Sequence, residues 1–238
     1  MKQLICIILI VFLVLYGLYA HFIPKSIQSI YGSQVDTGVV TEVDLFIQSC
    51  FDGSIEEVKS LLDKGINING VNELGETALM VTCHTGRAEI IKLLLDYGAD
   101  VNAVDELGET VFMMACRQGH IEIVKLFLDE GADINIAGGC GFTALMYGCF
   151  AGSVEMVKLL LEYGADVNAV DLYGDTNLMY VCYKGNVELV KLLLEYGADH
   201  TITDKNGNTA LMIAQSEGAI EIVKLLLEKN HYVSLSES

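Results

Sequence analysis

Glycine returns every 33 residues in three separate ladders, and this interval limits the fold more than any other feature of the chain. Gly75, Gly108, Gly141, Gly174 and Gly207 form one ladder. Gly53, Gly86, Gly119, Gly152, Gly185 and Gly218 form a second, and Gly65, Gly98, Gly131, Gly164 and Gly197 a third. Thr and Met keep the same step, at Thr77, Thr110, Thr143, Thr176 and Thr209, then Met80, Met113, Met146, Met179 and Met212. A fixed period of this length marks a stack of small units, none of which can cover its own apolar face alone. The apolar fraction of 52% supplies the core such a stack needs and excludes a disordered chain. A net charge of −18, from 14 basic and 32 acidic residues, excludes the clustered cations of a nucleic-acid binder.

Each unit reads as two short helices and a loop. The Thr of the ladder precedes an apolar run and caps it by accepting a hydrogen bond from an unpaired first-turn N–H. The Gly that follows, such as Gly86, suits the left-handed conformation that closes a helix. In Ala88–Leu95 the apolar Ile90, Ile91, Leu93, Leu94 and Leu95 recur at helical spacing, with Glu89 and Lys92 outward. Glu89/Lys92, Glu122/Lys125, Glu155/Lys158, Glu188/Lys191 and Glu221/Lys224 are expected i,i+3 pairs, each contributing a few tenths of a kcal/mol. Asp100-Val101-Asn102 then begins a turn-rich connection to the next unit.

The segments GETALM (Gly75–Met80), GFTALM (Gly141–Met146), GNTALM (Gly207–Met212), IVKLFLDEGADIN (Ile123–Asn135) and MVKLLLEYGADVN (Met156–Asn168) resemble the ankyrin repeat family. The resemblance implies an all-α ankyrin-repeat solenoid over residues 41–236, with six repeats at 41–71, 72–104, 105–137, 138–170, 171–203 and 204–236. In the first, Asp44 stands where Thr would be, as in a capping repeat; in the last, Glu228-Lys229-Asn230 replaces Gly-Ala-Asp. The family's usual T-P-L-H is altered, with Ala, Asn or Val for Pro and Met for His. A thioether ladder then replaces a polar network.

The first twenty residues are a separate object. Leu4–Ala20 carries no charge, follows Lys2 and is followed by Pro24. At ~1.5 Å per residue it makes an N-terminal hydrophobic helix of ~26 Å, close to a ~30 Å hydrocarbon core. A secretory signal cleaved at Ala20 and an uncleaved membrane anchor both fit, and both carry the repeats to the non-cytoplasmic side. Residues 21–40, with Ser26, Ser29, Gly32 and Ser33, read as a linker.

Cys50, Cys83, Cys116, Cys149 and Cys182 also fall 33 apart. Equivalent sites in stacked helices lie ~8–10 Å apart, too far for a disulfide, which needs Cα atoms within ~7 Å. They are expected to be small buried core residues. Cys140, in Gly138-Gly139-Cys140-Gly141, is expected at a loop tip as an exposed thiol. No H-E-x-x-H, C-x-x-C, G-x-S-x-G or phosphate-cradling loop is present, so no catalytic, cofactor or metal residues are assigned and no enzyme is expected.

The resemblance implies a protein-binding module that works through its loop tips and the concave face of its first helices. Carried onto this chain, those positions hold Leu74, Glu76, Leu107, Glu109, Arg117, Phe142, Phe150, Tyr173, Asp175, Tyr183 and Lys184. Repeats two and three are acidic with interleaved Leu, while four and five are expected to expose Phe and Tyr. Such a surface suits a partner protein with a basic or apolar face, bound by a monomer. A membrane-held scaffold without a single dedicated partner is the alternative reading.

Overall fold

The computed structural model describes residues 41–236. The expected N-terminal hydrophobic helix over 1–20 and the linker over 21–40 lie outside the described residues. Among the described residues there are twelve helices and no strand, with isolated antiparallel bridges at Val71/Thr77, Val170/Thr176 and Thr203/Thr209 closing the loops. No helix among them is long and apolar enough to cross a membrane. The chain divides after Glu106 into two compact units.

The first unit holds α1 (Glu42–Asp52), α2 (Ile55–Asp63), α3 (Ala78–Thr85) and α4 (Ala88–Asp96). Packing follows the period: α1 lies on α3 and α2 on α4. Phe46, Val58, Leu79, Met80, Ile91 and Leu94 fill the seam. One expectation is corrected here. Asp44 does not replace the capping Thr, because α1 begins three residues earlier than its counterparts and Thr41 caps it. The Thr41 hydroxyl accepts from the Asp44 N–H at 3.1 Å, and the Asp44 carboxylate accepts from the Thr41 N–H at 2.9 Å. Asp44 is therefore the third helical residue of a reciprocal capping box.

The second unit holds α5 (Val111–Gln118), α6 (Ile121–Asp129), α7 (Ala144–Ala151), α8 (Val154–Glu162), α9 (Asn177–Lys184), α10 (Val187–Glu195), α11 (Ala210–Ser216) and α12 (Ile220–Ser236). First helices stack in the order α5, α7, α9, α11, and α8, α10, α12 form a parallel row of second helices. Thr110, Thr143, Thr176 and Thr209 cap the first helices, accepting from the Met N–H three residues on at 3.2–3.4 Å. Met113, Met146 and Met179 are buried. Met179 also accepts weakly at sulfur from the Thr176 N–H, at 3.5 Å.

Neighbouring loops are joined edge to edge. Gly139 N–H donates to Leu107 at 2.7 Å, Leu172 to Cys140 at 3.0 Å and Lys205 to Tyr173 at 2.9 Å. Gly141 has no substitute in this ladder. Its φ is +78°, and a Cβ would stand 2.9 Å from the Leu172 nitrogen. An Asn near the end of two repeats adds a second link: Asn135 accepts from the Asp166 N–H at 2.9 Å and Asn168 from the Asp199 N–H at 2.7 Å.

Of the expected i,i+3 ion pairs, only Glu122/Lys125 closes among the described residues, at 2.9 Å. Lys158 turns to Glu162 at 3.9 Å, and Lys191 reaches Glu221 of the next repeat at 3.6 Å. Exposed lysines at this spacing gain too little from one partner to forgo another. Cys50, Cys83, Cys116, Cys149 and Cys182 are all buried, and burial pushes the Cys50, Cys149 and Cys182 thiols up to about 12. Cys140, expected as an exposed thiol, is half-buried.

Candidate partner-binding surface

Two positions eight residues apart organise this surface in every repeat that shows it. One is the middle residue of G-x-T in the loop; the other lies in the last turn of the first helix. In the first unit they are Glu76 and His84, 3.7 Å apart. In the second unit they are Glu109 and Arg117, then Phe142 and Phe150, then Asp175 and Tyr183.

Glu109 and Arg117 form a tight pair, with the Arg117 Nη1 donating to Glu109 Oε2 at 2.8 Å. The Tyr147 hydroxyl donates to the other carboxylate oxygen. The Arg117 guanidinium also lies over the Tyr147 ring, 5.6 Å from its centroid. Glu109 is only 5% exposed, so its charge is spent inside the unit. Burial and the adjacent Glu109 carboxylate push the Tyr147 phenol well above its ordinary range.

Phe142 continues the same assembly. Its ring centroid is 5.3 Å from both Tyr147 and Tyr180, tilted by 50° and 58°, and the side chain is 6% exposed. The sequence reading expected this Phe at the surface. The loop instead turns it inward, because Tyr147 from its own repeat and Tyr180 from the next close over it. Such tilted pairs add about 0.5–1.5 kcal/mol each beyond burial. Tyr180 in turn donates to Asp171 Oδ2 at 2.7 Å, while Asp171 Oδ1 accepts from the N–H groups of Tyr173 and Asp175 at 2.8 Å each.

The remaining positions face outward to differing degrees. Tyr183 is 60% exposed, Lys184 is exposed with its Nζ 4.0 Å above the Phe150 ring, and Leu107 is exposed. Phe150, Tyr173, Asp175 and Arg117 are half-buried. In the first unit Leu74 is exposed and Glu76 half-buried. Tyr147, Tyr180 and Asp171 escaped the sequence reading, although a signal was present. Tyr147 and Tyr180 hold the register that Met114 fills one repeat earlier with an apolar side chain. Leu172, placed on the same surface by its loop position, is exposed beside Tyr173.

Asp175 is the one acid here with a raised carboxyl, pushed up to about 6 by burial and then by Asp171 and Asp204. Because folding raises this value from 3.8, the native state holds the proton more tightly. Its contribution is complete below about pH 4 and is lost as pH rises through 6. Asp175→Asn is therefore expected to flatten that fall and to stabilise the unit at pH 7.5 by about 1 kcal/mol, after discounting solvent screening. Urea midpoints of both proteins at pH 4 and pH 7.5 check this; an unchanged difference between the two pH values would contradict it.

No three His, Cys, Asp or Glu side chains among the described residues converge as metal ligands. A sequence profile described as Ankyrin repeats (3 copies) matches the chain at residues 24–105, 45–137, 103–171 and 145–236. Among solved structures, the chain is similar to the crystal structure of an ankyrin repeat domain from Acinetobacter baumannii AYE. The identity is 34% with a TM-score of 0.73, covering 76% of this chain and 95% of that one. A comparison with curated proteins finds no match. Since 605 chains of solved structures match, the likeness identifies a widely shared scaffold rather than a partner.

Proposed function

The chain belongs to the ankyrin-repeat family, and on that premise we propose that it is a non-enzymatic module that holds a partner protein. The partner lies along the loop tips and first-helix ends of its repeats. Ankyrin repeats as a family bind proteins and are generally without catalytic activity, which supports this reading. The observation that carries it is Tyr183: a large aromatic side chain, 60% exposed, at the end of α9. Phe150 with Lys184 lies on one side of it in the same register, and Leu172 and Tyr173 occupy the loop of its repeat. Aromatic groups of this kind dominate interface energies once water is excluded from them.

The acidic character draws on fewer groups than the loop positions first suggest. Glu109 is paired with Arg117 and the half-buried Glu76 accepts from Asn72, so the charge most open to a partner comes from Glu73, Glu106 and the general excess of −18. That excess speeds the approach of a basic partner and makes it salt-sensitive. The repeats act as a monomer, exported or held at a membrane by Leu4–Ala20; the charge-free run and Lys2 support that placement.

The test is cross-linking and affinity capture of the full chain from its native compartment, beside a variant with Phe150→Ala, Tyr173→Ala and Tyr183→Ala. The variant is expected to lose its partner at least about tenfold, the scale of one hot spot. Equal recovery from both proteins would remove these residues from the interface.

A further inference from the structure

The clefts between successive repeats share a register, and their contents differ. In the first unit, Arg87 fills the cleft beside α1. Its Nε donates to the Phe51 carbonyl at 2.9 Å, and its guanidinium lies where a Gly53 Cβ would stand. That carbonyl belongs to the last turn of α1, where helix carbonyls lack partners of their own. The position of Arg87 is taken further along the chain by His120, Ser153, Asn186 and Ala219. Ser153 caps α8, and Asn186 caps α10 while lying near Gly152.

Ala219 does neither. The cleft beside it is an open groove of about 320 Å³ lined by Tyr183, Lys184, Val187, Glu217, Ile220 and Glu221. Tyr183 is the register equivalent of Phe51, and Gly185 that of Gly53. Nothing lies within 4 Å of a Cβ built on Gly185. Among the described residues no backbone donor from the loops and caps reaches the Tyr183 carbonyl. The groove therefore repeats the arginine site of the first unit, with the arginine missing.

Its walls match the missing group. Glu217 replaces the Thr85 found in the first unit and makes no ion pair among the described residues. Glu221 shares only Lys191, at 3.6 Å. The one cation in the lining, Lys184, is held over Phe150. Ile220, 70% exposed, and Tyr183 offer apolar flanks for a methylene stem.

We propose that this groove takes an arginine side chain of a partner protein, its guanidinium donating to the Tyr183 carbonyl between the carboxylates of Glu217 and Glu221. The proposal rests on the protein-docking function above and adds the chemistry of one contact. Guanidinium suits the site better than ammonium because its planar fork serves a carbonyl and carboxylates together.

The experiment is an NMR titration of the full chain with the peptide acetyl-Leu-Arg-Leu-amide and its Lys and citrulline counterparts. Saturable shifts are expected at Tyr183, Gly185, Ala219 and Ile220, about fivefold weaker for Lys and absent for citrulline. Ala219→Arg, which copies Arg87, is expected to abolish them while the chain stays folded. Glu217→Gln, an exposed and milder change, is expected to raise the dissociation constant about threefold. No saturable shift, equal response to all three peptides, or an undiminished response in Ala219→Arg would overturn the proposal. Sedimentation that shows a dimer dispersed by Ala219→Arg would assign the groove to a second copy and overturn it too. Absence of the groove response in the unaltered chain, with the aromatic triple variant still losing its partner, defeats the arginine contact alone, not the docking function.

Discussion

Phe142→Ala is expected to destabilise the second unit by about 3–5 kcal/mol, the range for removing a buried Phe. The side chain sits between Tyr147 and Tyr180, with 5.3 Å to each ring centroid, so its loss opens a cavity that two repeats share. Both tyrosines are tied to acids, Tyr147 to Glu109 and Tyr180 to Asp171, and cannot easily collapse into the space. Urea unfolding followed by far-UV circular dichroism measures the effect. Tyr183→Ala serves as the control and is expected to change stability by no more than about 0.5 kcal/mol. A loss below 1 kcal/mol for Phe142→Ala would show that the aromatic triad is not a structural joint.

Glu109→Ala is the second large effect, about 2–4 kcal/mol. It leaves the Arg117 guanidinium without its 2.8 Å partner in a half-buried site, and frees the Tyr147 hydroxyl at the same time. Most of the cost is the stranded charge rather than the value of the pair itself. A double-mutant cycle separates the two. Arg117→Met alone is expected to be destabilising, and the double variant with Glu109→Leu to be less destabilised than the sum of the singles. Additive losses would show that the two side chains do not work as a pair.

What the chain revealed before its coordinates follows from the range of the interactions involved. The capping threonines, the closing glycines and the buried Cys ladder depend on neighbours within a few residues, or on a position repeated identically in each unit. They were legible. Phe142 and Glu109 were read as surface groups because each lies in a loop. Their burial depends on Tyr147 and Tyr180, five to 38 residues further on, whose rings fold over the preceding loop. A repeat-by-repeat reading sees the loop but not the cover. Asp44 was misplaced for a related reason: α1 is 11 residues long where α3 has eight, so the strict register points three positions past the true cap. Arg87 and Ala219 share one register position, and only the Phe51 contact shows what a side chain there does.

Lysines mark both sides of the repeats, which makes the docking account directly measurable. Lys184 and Lys205 lie on the first-helix end and loop side, while Lys92, Lys125, Lys158 and Lys224 lie outward on second helices, all of them exposed. In the cross-linking capture of the full chain, partner links are expected at Lys184 and Lys205 and to disappear with the aromatic triple variant. Links that concentrate instead at Lys92, Lys125, Lys158 and Lys224, and survive that variant, would contradict the account.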